Sequence, residues 1–151
     1  MKKLVALLLA TVLTLSTFAA CGGAKLTAKV IDIELTSEDY AFGVDKNQPE
    51  LLTSVNAFIA KIMEDGTFEE ICNKYFGDGT PTPVTSATED PSKDQLVVAT
   101  NAEFAPWEYK EGNKFYGIDM EIAKLIADEL GLELVINDME FDAVVGAVGK
   151  Q

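Results

Sequence analysis

From residue 95 onward the chain reads strand, helix, strand, helix, an order that leaves few folds open. Leu96-Val-Val-Ala99 is an unbroken apolar run of the kind buried in a sheet interior. Residues 117–130 carry apolar side chains at three- and four-residue spacing, which predicts a helix that Gly131 caps. Residues 132–136 read as another strand and 142–148 as a short helix closed by Gly149. Two strands joined through a helix pair in parallel, so this half predicts an α/β fold with helices packed on the sheet. Residues 101–107 read as a loop, with Phe115 and Tyr116 leading into the helix.

The half before residue 78 is more helical. Residues 29–35 alternate, with Ile31, Ile33 and Leu35 on one side, and predict a strand; residues 40–44 are a second β-prone run. Gln48-Pro-Glu50 opens a helix, since proline at the first turn gives up no hydrogen bond. Leu51, Leu52, Val55, Phe58, Ile59, Ile62 and Met63 form its apolar stripe, and Gly66 ends it. Thr67 and Glu70 have the spacing of a capping box for a short helix that Gly77 stops. Residues 78–94 hold three prolines, many hydroxyl side chains and no apolar period, and predict a flexible linker. No internal repeat is visible.

Charge and residue absences narrow the chemistry. The formal charge is −13, and it is two units more negative without Lys2 and Lys3. Such a surface repels nucleic acid and anionic headgroups, so neither is expected as a partner. The chain has no His, and all 12 of its basic residues are Lys. Histidine triads, histidine metal sites and arginine clamps on carboxylates are therefore excluded. Residues 138–142 (DMEFD) have the acid spacing that opens a calcium loop, but Ala143 and Gly149 stand where that loop needs Gly and Glu. No catalytic residue, metal or cofactor is expected.

The first residues read as an export leader. Lys2 and Lys3 form a basic start, residues 4–15 are apolar, and residues 16–20 are mostly small. Cys21-Gly-Gly23 follows and is similar to a lipoprotein processing site, with Phe18 where that motif usually has Leu. A lipid on Cys21, an ordinary cut near residues 17–19 and an uncleaved anchor are the three readings. The first predicts residues 1–20 as signal peptide, 21–27 as tether, and attachment to the outer face of the cytoplasmic membrane. About 130 residues then remain, enough for one domain. Cys72, on an apolar helix face, reads as a small core residue.

The run Gly117-Ile-Asp-Met-Glu-Ile-Ala-Lys-Leu-Ile-Ala-Asp-Glu-Leu130 resembles the signature of bacterial extracellular solute-binding proteins of family 3, the amino-acid receptors of ABC importers. Two blocks in register extend the resemblance, Val98-Ala-Thr-Asn-Ala-Glu-Phe-Ala-Pro-Trp-Glu-Tyr109 and Met139-Glu-Phe-Asp-Ala-Val-Val-Gly-Ala-Val148. Family members have two α/β lobes that close on a ligand, lobe one being built from both chain ends. Residues 28–77 look like the carboxy-terminal part of lobe one, and residues 95–151 like its amino-terminal part, in reversed order. The resemblance thus implies an incomplete single lobe of the type II periplasmic-binding-protein kind. Its mostly parallel sheet would lack an interior strand, and would close up, stay unpaired or recruit a second chain as an intertwined homodimer.

The same resemblance implies a site. Phe104 and Phe141 stand where the family sandwiches the ligand's side chain. Asn101 stands where many members have an Asp that touches the ligand's polar tip, and Trp107 is a further candidate contact. Local packing competes for each of them: a staple for Phe141, a turn or cap for Asn101, lobe packing for Trp107. The family's carboxylate-gripping Arg would fall past residue 151 and its ammonium-binding acid in lobe two. Each charge-assisted bond so lost forfeits about 1.5–3 kcal/mol. A half-site of this kind holds an amino acid no tighter than roughly millimolar. The implied partners are a polar amino acid, an ABC permease and the membrane through a lipid. The rival readings are an extracytoplasmic sensor or docking lipoprotein, and a remnant of tandem receptors without a function of its own.

Overall fold

Helix α1 (Pro49–Asp65) begins on its proline and ends at Gly66, whose φ of 87° is left-handed. That glycine is at once the first cap of α2 (Thr67–Phe76), so the two helices meet in a one-residue corner. The capping box read at Thr67 and Glu70 does not form. Thr67 already lies inside the helix, and its N–H is taken by the Asp65 carboxylate at 2.9 Å. The computed structural model describes Lys29, Ile33 and residues 38–149, and the body treated below starts at Tyr40. The strand read over 29–35 therefore falls almost wholly outside the described residues, as do Cys21 and the leader.

The second half has the α/β order expected of it. Strand β1 (Gln95–Thr100) pairs in parallel with β5 (Glu133–Asp138), in register from Gln95 opposite Glu133 to Thr100 opposite Asp138. Helix α3 (Ile118–Leu130) crosses between them and stops at Gly131, φ 69°. Helix α4 (Phe141–Ala147) follows β5. Between β1 and α3 lies an antiparallel sheet, β2 (Glu103–Phe104), β3 (Glu108–Glu111) and β4 (Lys114–Tyr116), where the sequence reading had only loop. The β3–β4 turn is the two-residue Gly112-Asn113, with Gly112 at φ 60°, a hairpin signal in plain view. Residues 40–44 join no strand ladder, contrary to the β-prone reading.

Helix α3 is buried from two sides. Met120, Ala123 and Ala127 face Leu134 and Ile136 of the sheet, together with Phe115 and Val84. Ile118, Ile122 and Ile126 face Val55, Phe58 and Ile62 of α1 and Ile71 of α2. The stripes run over residues 120–127 and 118–126 in the 3.6-residue period, offset enough to take a sheet on one flank and a helix pair on the other. Each buried Ile contributes about 1.5–3 kcal/mol, so the front helices are held to the back half by core and not by surface contact. Cys72 packs at the edge of the second cluster with its thiol pushed up by burial and then by Glu69.

The prolines and hydroxyls of 78–94 do not make a free linker. Val84 is 3% exposed and exchanges both main-chain hydrogen bonds with Phe115, at 2.8 and 2.9 Å. Ala87 N–H donates to Leu134 O, and Ile136 N–H donates to Ser86 Oγ, each at 2.8 Å. The segment is a strap laid over the outer edge of β5. Its irregular composition suits it, because a strap bonds through its backbone and short hydroxyls and needs no apolar period. Among the described residues no helix is long and apolar enough to cross a membrane.

Candidate ligand-binding site

Parallel strands bring their carboxyl ends to one rim, and ligands of open α/β sheets sit beyond that rim. Here the rim is the pair of turns after β1 and β5, laced by three hydrogen bonds. Met139 N–H donates to Thr100 O at 2.8 Å, Ala102 N–H to Asp138 Oδ1 at 3.1 Å, and Asn101 Nδ2 to Met139 O at 3.1 Å. Asn101 thus spends one amide hydrogen on tying the turns together, a use that neither a turn nor a helix cap describes.

The two phenylalanines follow these turns in the chain and are both exposed. Phe104, in β2, is 54% exposed, and Phe141, at the first turn of α4, is 76% exposed. Among the described residues no ring contact joins them to each other or to another aromatic. Trp107 is placed differently. Its ring stacks on Tyr40 at 4.2 Å and meets Phe76 edge-on at 5.9 Å, while it also packs against the α1–α2–α3 core. Asn101 and Phe141 line one cavity at these turns, Phe104 lies in β2 outside that lining, and the Trp107 ring is committed to packing.

Sequence reasoning missed Lys110 and Asp138. Lys110 Nζ lies 3.4 Å from Asp138 Oδ2 and 5.0 Å from the centre of the Phe115 ring. It is a partly exposed cation on the rim, and it arrives there only because β3 and β4 form the hairpin that the Gly112-Asn113 turn announces. Below the rim a cavity of about 1050 Å³ runs along β1 toward residues 41–45 and α4. Its charged lining is Asp45, Glu89, Glu108, Asp119 and Asp142, all carboxylates. Glu108 is pushed up to about 7 by burial and then by the charge of Asp119. Asp119 is pushed up to about 6 by burial.

A parallel sheet flanked by helices, with a two-faced helix opening on glycine, is the architecture of part of an α/β lobe. The family model of bacterial extracellular solute-binding proteins, family 3, matches residues 7–78 and 96–151, and the chain belongs to that family. A curated relative, the arginine-binding extracellular protein ArtP of Bacillus subtilis (strain 168), is 34% identical over 64 residues, which are 42% of this chain. That match spans 25% of the relative's length. No solved structure matches the chain.

Proposed function

We propose that this chain supplies one lobe's share of an amino-acid site in an extracytoplasmic receptor serving an ABC importer. Residues 28–77 and 95–151 are, on this reading, the carboxy-terminal-type and amino-terminal-type pieces of lobe one. The shared core of Ile122 and Ile126 with Val55, Phe58 and Ile62 supports that assignment, since unrelated pieces would not bury one interior. The observation that carries the binding role is the rim itself. Asn101 offers a polar group fixed in place, and Phe104 and Phe141 offer apolar faces of the kind that cover methylene stems and attract cationic tips. The ligand is a polar amino acid; the all-carboxylate lining nearby and the arginine-binding relative favour one with a cationic side chain. Cys21 is the proposed lipid-bearing residue that would hold the chain at the membrane.

Amide chemical-shift mapping of the full chain with arginine, lysine, glutamine and aspartate at about 10 mM tests the reading. Arginine or lysine should move Asn101, Phe104 and Phe141 with roughly millimolar affinity, and aspartate should not. Shifts scattered away from the rim, or none with any of the four, would refute it. Micromolar binding would instead overturn the half-site estimate.

A further inference from the structure

Helix α2, the strap and α3 meet around a second cavity, of about 460 Å³. It shares no lining residue with the cavity at the turns after β1 and β5. Part of its lining is apolar: Ile71 is 2% and Val84 3% exposed, and Leu125 of α3 is half-buried. Beside them lies the buried carboxylate of Glu121, which already accepts from Tyr75 Oη, Lys74 Nζ and Thr82 N–H.

The remaining polar groups of the lining are mostly donors. Thr82 Oγ accepts from Lys74 Nζ at 3.0 Å, and Thr85 Oγ accepts from Lys114 Nζ at 2.6 Å. A hydroxyl oxygen held by an ammonium keeps its own hydrogen to give. Among the described residues neither hydrogen meets an acceptor. Lys74 spends two of its three N–H groups, on Thr82 and Glu121, and Lys124 bonds only to Asp128 one turn along its helix. Against these donors stands the exposed carboxylate of Glu70, which no lysine pairs among the described residues. Glu121 and Asp128 offset the two ammonium charges, so a doubly charged anion such as phosphate gains little here. It also has nothing to place against the apolar lining.

We propose that this cavity binds a small monocarboxylate with a branched aliphatic tail. The carboxylate accepts from the Thr82 and Thr85 hydroxyls and from Lys74 and Lys124, and the tail packs on Ile71, Val84 and Leu125. Hydrogen bonds to a charged acceptor are the stronger kind, and each buried tail carbon adds to them. Glu70 opposes the ligand's charge and holds the affinity to roughly millimolar. The site carries no part of the amino-acid reading, so the two succeed or fail independently.

The test is an amide chemical-shift titration of the full chain with sodium 3-methylbutanoate to ~20 mM. Salt at about 0.15 M screens the chain's net charge of −13. Saturable shifts should centre on residues 70–74, 82–85 and 121–125, with Asn101 and Phe141 unmoved. The neutral 3-methylbutanamide and the tailless acetate should each bind at least about tenfold more weakly. Thr82→Val combined with Thr85→Val should weaken binding about tenfold or more. Glu70→Gln should tighten it about threefold, a gain that a misfolded variant cannot imitate. Equal binding of the amide, unchanged affinity in the threonine variant or no gain in Glu70→Gln would each overturn the proposal. So would shifts centred on Asn101 and Phe141, or no saturation over the titration.

Discussion

Gly117 shows how one residue of the signature run is fixed by geometry. Its φ is 126°, and a Cβ there would drive into the Trp107 carbonyl, while its N–H donates to Tyr75 Oη at 2.9 Å. Gly117→Ala has no relaxed position available, because the obstructing atoms are backbone. We expect it to cost about 3 kcal/mol or more, measured as a urea midpoint shift at unchanged slope. Glu108 carries a second residue-scale prediction. Its carboxyl titrates higher folded than unfolded, so between about pH 4.5 and 7 the folded state binds more protons. Its contribution is therefore neutral below that window and destabilising above it, so stability falls as pH rises through it. Glu108→Gln should raise the melting temperature at pH 8 by several degrees, about 1 kcal/mol after discounting for partial exposure, and change it little at pH 4. An equal gain at both values would remove the carboxyl as the cause.

At the scale of elements, α3 is the part on which the others are assembled. Glu121 is 6% exposed, on a helix whose sequence shows only an apolar stripe at three- and four-residue spacing. Its carboxylate accepts from Tyr75 Oη at 2.7 Å, from Thr82 N–H at 3.0 Å, and from Lys74 Nζ. One side chain thereby joins α2, the start of the strap and α3. Breaking a buried pair by removing one partner strands the other charge, so Glu121→Ala should lose about 3–5 kcal/mol. Glu121→Gln, which keeps an acceptor for the Tyr75 hydroxyl, should lose less, and thermal melts of the two variants order them. The signature run was legible as a helix because its apolar period is strong, and the strands on either side were legible as apolar runs of the right length. Its acids were not legible as buried. Nothing in a linear pattern tells a solvated Glu from one whose partners lie some forty residues away. The hairpin of β3 and β4 was missed for the opposite reason: three- and four-residue strands carry too few residues to show a period, and only the Gly-Asn turn marked them. Of the candidate site, Phe104 and Phe141 were proposed from family resemblance alone, whereas Lys110 reaches Asp138 only through that unread hairpin.

For the whole molecule the question is what holds front and back together. The strap's composition, which lacks an apolar period, predicts a flexible linker, yet it covers β5 and forms a bridge with Phe115. Covalent continuity through it is then less important than the common interior of α1, α2 and α3. The turn at Asp90, where Ser92 and Lys93 bond back to the Asp90 side chain and carbonyl, is the place to cut, since the bonds that Ser86, Ala87 and Glu89 of the strap make with β5 all precede it. A protease site inserted between Ser92 and Lys93 leaves the strap on the front fragment and the sheet on the back one. Joining two fragments by a short linker gives an effective concentration near millimolar. At ~10 µM protein the cut therefore removes about 2–3 kcal/mol, a factor of roughly a hundred in association. The cleaved chain should still elute as one species at the mass of the intact 16.3 kDa chain. Its melting transition should fall by about ten to twenty degrees and become concentration-dependent, as intact chains of this size do not. Fragments that part on the column at ~10 µM would show that the shared interior is too weak to define one lobe, because the predicted loss leaves most of its burial energy in place.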